Sequence, residues 1–332
     1  MICYENLSTD PAFNLSVEES LLVNAGTEPL FLLWENAPAV IIGRYQNAWS
    51  EVDLSYAEEE GICVIRRLTG GGAVYHDHGN LNYTFITACR SGQSKGGDFP
   101  EIELCSKPIL RTLRKMGIDA RFSGRNDLTV QGKKFSGTAR VQHGSHLLYH
   151  GTLLFSTDLE KMTRVLNVDP EKYRSKGVTS VRSRVTNLSG YLPSHIGKEE
   201  LKGALLDEVF QGSALKIRRF DTEQRQAIER LRRGKYGTRA WNIGESPAAD
   251  FTREKRYDWG KIRIDIGLEK GKIAVFEISG DFFTDAALET LTQKFLGTDF
   301  ARETLEARIS EADILRVFPR MGKEELFNFL FA

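Results

Sequence analysis

The residues of this chain that could do chemistry concentrate in a few short stretches. The first, residues 66–85, reads RRLTGGGAVYHDHGNLNYTF. It opens on Arg66 and Arg67, passes through Gly70, Gly71 and Gly72, and closes with Leu81, Tyr83 and Phe85 alternating against Asn80, Asn82 and Thr84. Glycines without Cβ atoms let the main chain approach a ligand, and their N–H groups can converge on an anion. The two arginines would supply the countercharge. A tight turn or bulge is the competing reading. A second stretch, GRND at 124–127, carries one carboxylate, and KKFSGTAR at 133–140 sets Lys133 and Lys134 before Ser136 and Gly137. Taken alone, that lysine pair reads as a solvated loop. Residues 172–188 carry Arg174, Lys176, Arg182 and Arg184 with little apolar periodicity, which suits a mobile basic loop.

Other chemistries lack their residues. His143, His146 and His150 would share a face only on a helix, and the surrounding glycines and alternation argue for turn and strand instead, so no histidine metal site is expected. No glycine loop ends in GK plus a hydroxyl residue, and no GxGxxG follows a strand. The spacings of Cys3, Cys63, Cys89 and Cys105 fit neither a zinc site nor a redox pair. Forty-five basic residues balance forty-five acidic ones, which removes the global positive field of a protein that holds long nucleic acid. No apolar run approaches the roughly 20 residues needed to span a bilayer, and no leader precedes Asp10. A reducing cytoplasm is the expected compartment.

These stretches need elements to position them. At 332 residues the length suggests two domains, and 41% hydrophobic with 27% charged residues suits a soluble globular chain. Asp10 and Pro11 predict the start of an amphipathic helix over 13–22. Strands are expected over 30–34, 40–42, 63–66 and 147–155, the last with His150 and Thr152 on one face. The polar cluster 43–47 follows a buried strand, where ligand-facing groups and solvated turns both occur. Helices are expected over 53–60, 102–116, 199–210 and 222–233, with Pro108 kinking the second of these or marking its proper start. The glycine- and proline-containing stretch 234–250 reads as the domain junction. Beyond it a hairpin over 262–276, the GDFF at 280–283 and three helical segments predict a small α+β domain that assists rather than performs chemistry.

In order and spacing, RRLTGGGAVYHDHGNLNYTF, GRND, KKFSGTA, YHGTLLF and KGVTSVRSRVTNL resemble the lipoate-protein ligases. LLWENAPAVIIGRYQN and GDFF extend the resemblance across both domains. The related biotin-protein ligases and octanoyl transferases carry a GRGR-type loop and an RGG-with-HGPGQ pattern, neither of which occurs here. Leu68-Thr69 departs from the basic residue or isoleucine and serine of many relatives, but threonine keeps the hydroxyl.

The resemblance implies an α+β fold like class II tRNA synthetases, with a mixed sheet and flanking helices over 1–245 and a small accessory α+β domain over 250–332. It implies two steps: lipoate attacks the α-phosphate of ATP to give lipoyl-adenylate, and a lysine of an acceptor protein then takes the acyl group. Two anions meet in the first step, so a compact cation must lie between them, and Lys134 is the choice. Arg67 and the backbone of Gly72, Ala73, Val74 and Tyr75 would line the nucleotide. Asp127 would hold Mg²⁺, with Asn126 orienting that carboxylate or the nucleotide. Thr69, His76, Gly137, His150 and Thr152 would lie near the lipoyl moiety, and Trp34 with Leu15 or Val17 would wall its tail. Burying a four-methylene chain contributes about 3 kcal/mol, and an apolar site rejects octanoate by only about 1 to 3 kcal/mol. The basic loop would act as a lid over a hydrolysable adenylate. Expected partners are lipoyl-acceptor domains of 2-oxoacid dehydrogenase E2 subunits and the glycine cleavage H protein, with neither nucleic acid nor membrane. A transferase that uses preformed lipoyl-adenylate, and a non-catalytic nucleotide- or RNA-binding module, are the alternative functions.

Overall fold

Asp10 begins the first helix as its position predicts. Its carboxylate accepts from the N–H groups of Ala12 and Phe13, Pro11 follows, and the helix runs Pro11–Val23. The computed structural model describes residues 1–89, 100–124, 126–167, 184–211, 214–244, 249–269 and 271–331, and only the backbone of 100–104. The expected basic lid therefore lies outside the described residues up to 183, with Arg174, Lys176 and Arg182 on it. So do the polar loop 91–98 and residues 245–248 of the expected junction.

The larger part is built on eight strands: β1 (Ile2–Tyr4), β2 (Leu30–Trp34), β6 (Asn80–Ala88), β7 (Ala120–Ser123), β8 (Asp127–Val130), β9 (Lys133–His143), β10 (His146–Leu154) and β11 (Ile217–Arg218). They lie in the order β11-β1-β2-β6-β10-β9-β8-β7. The β1 pairings are parallel and the rest antiparallel. A second sheet, β4-β3-β5, joins β3 (Ala39–Ile42), β4 (Cys63–Arg66) and β5 (Val74–His76). Helices cover both faces of the large sheet. Leu81, Tyr83 and Phe85 share one core with the helices Pro100–Lys115 and Lys198–Phe210, while Trp34, Ile86 and Leu148 share another with Pro11–Val23 and Thr222–Leu231. This is the mixed-sheet α+β architecture expected.

Some local expectations need correction. KKFSGTAR is not a loop but the first part of β9, because β8 and β10 supply hydrogen-bond partners on both edges. Pro108 does not mark the start of its helix, which runs Pro100–Lys115 with the proline inside it.

The C-terminal unit is a three-stranded antiparallel sheet of β12 (Phe251–Tyr257), β13 (Gly260–Glu269) and β14 (Lys272–Gly280). Helices Glu289–Phe295, Arg302–Arg308, Glu311–Val317 and Lys323–Leu330 pack on it around Ile264, Phe282, Phe295, Phe318 and Phe327. Strand β12 has no sequence signal because FTREKRY, at the sheet edge, is too charged to alternate.

The GDFF turn joins this unit to the glycine stretch. Gly280 N–H donates to the Tyr45 carbonyl at 2.8 Å, and Gly71 N–H to the Phe282 carbonyl at 3.4 Å. The Tyr45 and Phe282 rings stack at 5.4 Å. A Cβ on Gly70 would stand 2.4 Å from the Phe282 carbonyl oxygen, and one on Gly43 would stand 2.0 Å from that of Gly71. These glycines are therefore required by backbone-to-backbone packing, and Gly71 has in addition a φ of +92°.

Candidate functional site

The register of β8 and β9 explains how Lys134 meets Asp127. A bulge at Leu128/Thr129 sets Thr129 opposite Lys134 and Asp127 opposite Gly137. The lysine side chain folds back over Gly137, where a Cβ would lie 2.9 Å from its Nζ, and reaches Asp127 Oδ1 at 2.7 Å. Gly137 thus makes room for the lysine. A short bridge between Lys134 and Val185, with Thr186 N–H donating to the Lys134 carbonyl at 2.8 Å, brings in Arg184. Its Nη2 lies 3.3 Å from Asp127 Oδ2, so one carboxylate faces two cations.

Around these groups lies a cavity of about 740 Å³. Trp34, Arg67, Gly72, Ala73, Val74, Tyr75, His76, Asn126, Asp127, Lys134, Gly137, His150 and Thr152 all line it, and so does Leu15. Of the other residues expected at the site, Arg66, Gly70, Thr69 and Val17 do not line it. Thr69 is wholly buried behind the wall, and Val17 is likewise in the core rather than at the cavity.

A polar chain holds Thr69 there. Glu18, 3% exposed, places its carboxylate oxygens 2.9 and 3.0 Å from His150 Nδ1. For the neutral ring, Nδ1–H donates to Glu18 and Nε2 accepts from the Thr69 hydroxyl at 2.8 Å. Thr84 donates to the same Glu18 at 2.5 Å and accepts from Trp34 Nε1 at 2.9 Å, which fixes the indole. Glu18 was not anticipated. The first helix is buried on most of its sides rather than amphipathic as expected, and the signal was an acid three residues after Leu15 and three before Leu21.

Arg66 and Arg67 do not act as expected of a countercharge pair. Arg66 donates to the carbonyls of Gly43, Arg44, Gln46, Trp241 and Asn242. Arg67 reaches the cavity wall, yet it donates to the carbonyls of Ile41, Gly70 and Gly72 and to the Thr69 hydroxyl. Burial lowers both guanidinium pKa values to about 10, which leaves them charged at neutral pH. They fix the shape of the glycine loop. His76 is also buried, and desolvation, with Arg67 and His150 nearby, depresses its pKa to about 3. Asn36 Nδ2 donates to its Nδ1 at 3.0 Å, leaving the proton on Nε2.

Asn126 donates from its side chain to the Thr138 carbonyl at 2.8 Å, which anchors the turn before Asp127. Mg²⁺ is a hard cation that is typically held by one or two carboxylates together with substrate phosphates. Asp127 fits that requirement as a partly exposed carboxylate on the cavity wall. No group of three or more potential ligands is found among the described residues. The cavity is also lined by Arg256, Tyr257, Asp258, Gly260 and Asp281, all from the C-terminal unit. The sequence suggested that this unit assists, as a cover over ATP, but singled out none of these five residues, since they are scattered over strands and turns.

Residues 10–210 match the family description lipoyl protein ligase A/B catalytic domain, and 246–330 match the bacterial lipoate protein ligase C-terminus. The chain is 36% identical over 326 residues to "Lipoate--protein ligase 1" of Staphylococcus aureus, covering 98% of each. It resembles the crystal structure of Plasmodium falciparum LipL1 in complex with lipoate, with a TM-score of 0.78, 27% identity and coverage of 95% of this chain and 98% of that one. It also resembles lipoate-protein ligase A bound with ATP, with a TM-score of 0.64, 26% identity and coverage of 73% of this chain and 98% of the other.

Proposed function

We propose that this chain, which belongs to the lipoate-protein ligase family, activates lipoate with ATP and passes the lipoyl group through lipoyl-adenylate to a lysine of an acceptor domain. The observation that carries this reading is the pairing of Lys134 with Asp127 on the wall of a cavity that also holds the glycine loop and an apolar flank of Leu15, Trp34 and Ile41. An ion pair of this kind can be exchanged. When two anions enter, Lys134 can leave Asp127 and stand between the lipoate carboxylate and the α-phosphate, lowering their repulsion as they combine.

In this reading the backbone of Gly72, Ala73, Val74 and Tyr75 lines the nucleotide, with Arg67 holding that loop in shape. Asn126 fixes the turn that carries Asp127. Mg²⁺, when bound at Asp127, supplies charge neutralisation for the phosphates. Thr152 accepts from Gly137 N–H at 3.2 Å and so steadies the strand beneath Lys134, while Trp34, His76 and His150, backed by Thr69, surround the lipoyl moiety. The catalytic unit takes in residues 1–245 and the accessory unit 250–332. Each has its own core, and the accessory unit covers one side of the cavity. The acceptors are lipoyl domains of 2-oxoacid dehydrogenase E2 subunits or the glycine cleavage H protein. All four cysteines are free thiols, which suits the cytoplasm, and no helix among the described residues is long and apolar enough to cross a membrane.

Incubation with ATP, Mg²⁺, lipoate and an unmodified lipoyl domain should give the lipoylated domain together with AMP. Lipoylation that proceeds equally well without ATP would contradict this reading.

A further inference from the structure

We propose that Arg256 of the C-terminal unit is a catalytic residue of the activation step, its guanidinium taking the charge that builds on the pyrophosphate leaving group. The inference rests on the ATP-dependent reading above and assigns the C-terminal unit a chemical part in it.

Arg256 lies on β12, an edge strand of the small sheet, yet its side chain is only 19% exposed because it lines the shared cavity. Asp281 positions it. One oxygen of that carboxylate accepts from Lys261 N–H at 2.5 Å, and the other lies 3.5 Å from Arg256 Nη2. Asp281 itself belongs to the turn whose next residue, Phe282, accepts from Gly71 N–H. Backbone contacts therefore tie the guanidinium to the glycine loop, and the contact of Gly70 with the Phe282 carbonyl is too close to admit any side chain. Wherever that loop wraps an anion, Arg256 is held at the same space.

The chemistry of the step calls for such a group. A lipoate carboxylate oxygen forms a bond to the α-phosphorus, the bond from that phosphorus to the bridging oxygen breaks, and the electron pair leaves with pyrophosphate. No proton moves, and the leaving group gains negative charge. A planar guanidinium can meet phosphate oxygens through two parallel N–H donors. Lys134 and Arg184 both stand at Asp127, where Lys134 serves the meeting of carboxylate and α-phosphate, so a further cation on another wall can serve the departing end. Arg67 has most of its donors on backbone carbonyls and the Thr69 hydroxyl, so it cannot turn without dismantling the loop. In the transfer step pyrophosphate has already gone, and Arg256 has no part.

The test measures the two half-reactions separately on the full chain. For Arg256→Ala, lipoate-dependent exchange of labelled pyrophosphate into ATP should fall about 100-fold, with KM for ATP raised and KM for lipoate unchanged. Transfer from synthetic lipoyl-adenylate to an acceptor domain should keep the wild-type rate, and Arg256→Lys should recover part of the lost exchange. Exchange at the wild-type rate in Arg256→Ala would overturn the assignment. So would equal loss of both half-reactions, which would mark Arg256 as a structural group. A wild type that shows no exchange at all would instead remove the ATP-dependent reading, and the role of Arg256 with it.

Discussion

The molecule holds two pairs of cations in contrasting situations. Arg66, half-buried, and Arg67, buried, are held by carbonyl oxygens of the main chain, whereas Lys134 and Arg184, a quarter exposed, face the single carboxylate of Asp127. A carbonyl in a folded loop cannot leave, and its loss as an acceptor would disrupt the loop itself. A carboxylate partner at a cavity wall is different, because an incoming phosphate or carboxylate offers the cation the same interaction. In the proposed reading the first pair therefore builds the site and the second serves it. In the sequence Arg67 and Lys134 each belong to an adjacent basic pair, Arg66-Arg67 and Lys133-Lys134, and only their partners tell them apart.

The comparison breaks most visibly at Lys134. Lys134→Ala should lower the formation of lipoyl-adenylate by at least about 100-fold, equivalent to about 3 kcal/mol at the transition state, while the unfolding midpoint stays near that of the wild type. Single-turnover isolation of the bound adenylate measures it, and a normal yield would place the reacting cation elsewhere. Arg66→Ala should do the opposite. With five backbone acceptors losing a charged donor, stability should fall by about 3 kcal/mol in a denaturant titration, and the folded fraction should keep its affinity for lipoate. Equal loss of activity in the folded fraction would mean that Arg66 also serves the ligand.

A smaller effect is expected at the carboxylate between the cations. Asp127→Asn should shift the Mg²⁺ titration of activation to higher concentration, by about tenfold. An unchanged titration would take Asp127 away from the metal. The mildest effect concerns His76. Its folded-state pKa of about 3 lies below an unfolded value near 6.5, so the unfolded chain binds the proton first and stability falls as pH drops from about 6.5 toward 3. His76→Gln should flatten that slope in urea midpoints taken at pH 7 and pH 5. A slope unaltered by the substitution would mean that His76 is protonated in the folded protein.

Much of this site could be read in the sequence because its residues sit in contiguous blocks. Gly70 to Gly72, Asp127, Lys134 and the His150/Thr152 pair each lie in one of the contiguous blocks that carry the family resemblance, and the sheet brings those blocks together. Groups defined by a partner far along the chain were not legible. Glu18 meets His150 across 132 positions, and nothing local to a helix buried on most of its sides states which partner a buried acid will find. Arg66 looked like a ligand cation because the carbonyls it binds come from residues 43–46 and 241–242. The same holds for β9. Two lysines and a small-residue run suggest a loop until the strands on either side are known.

The central claim is that this cavity carries out activation as well as transfer, and pyrophosphate exchange tests it with no acceptor present. Wild-type protein given lipoate, ATP, Mg²⁺ and labelled pyrophosphate should return label to ATP, and omission of lipoate should abolish the signal. Absence of exchange in protein that readily consumes synthetic lipoyl-adenylate would contradict the account and leave a transferase that relies on activation elsewhere.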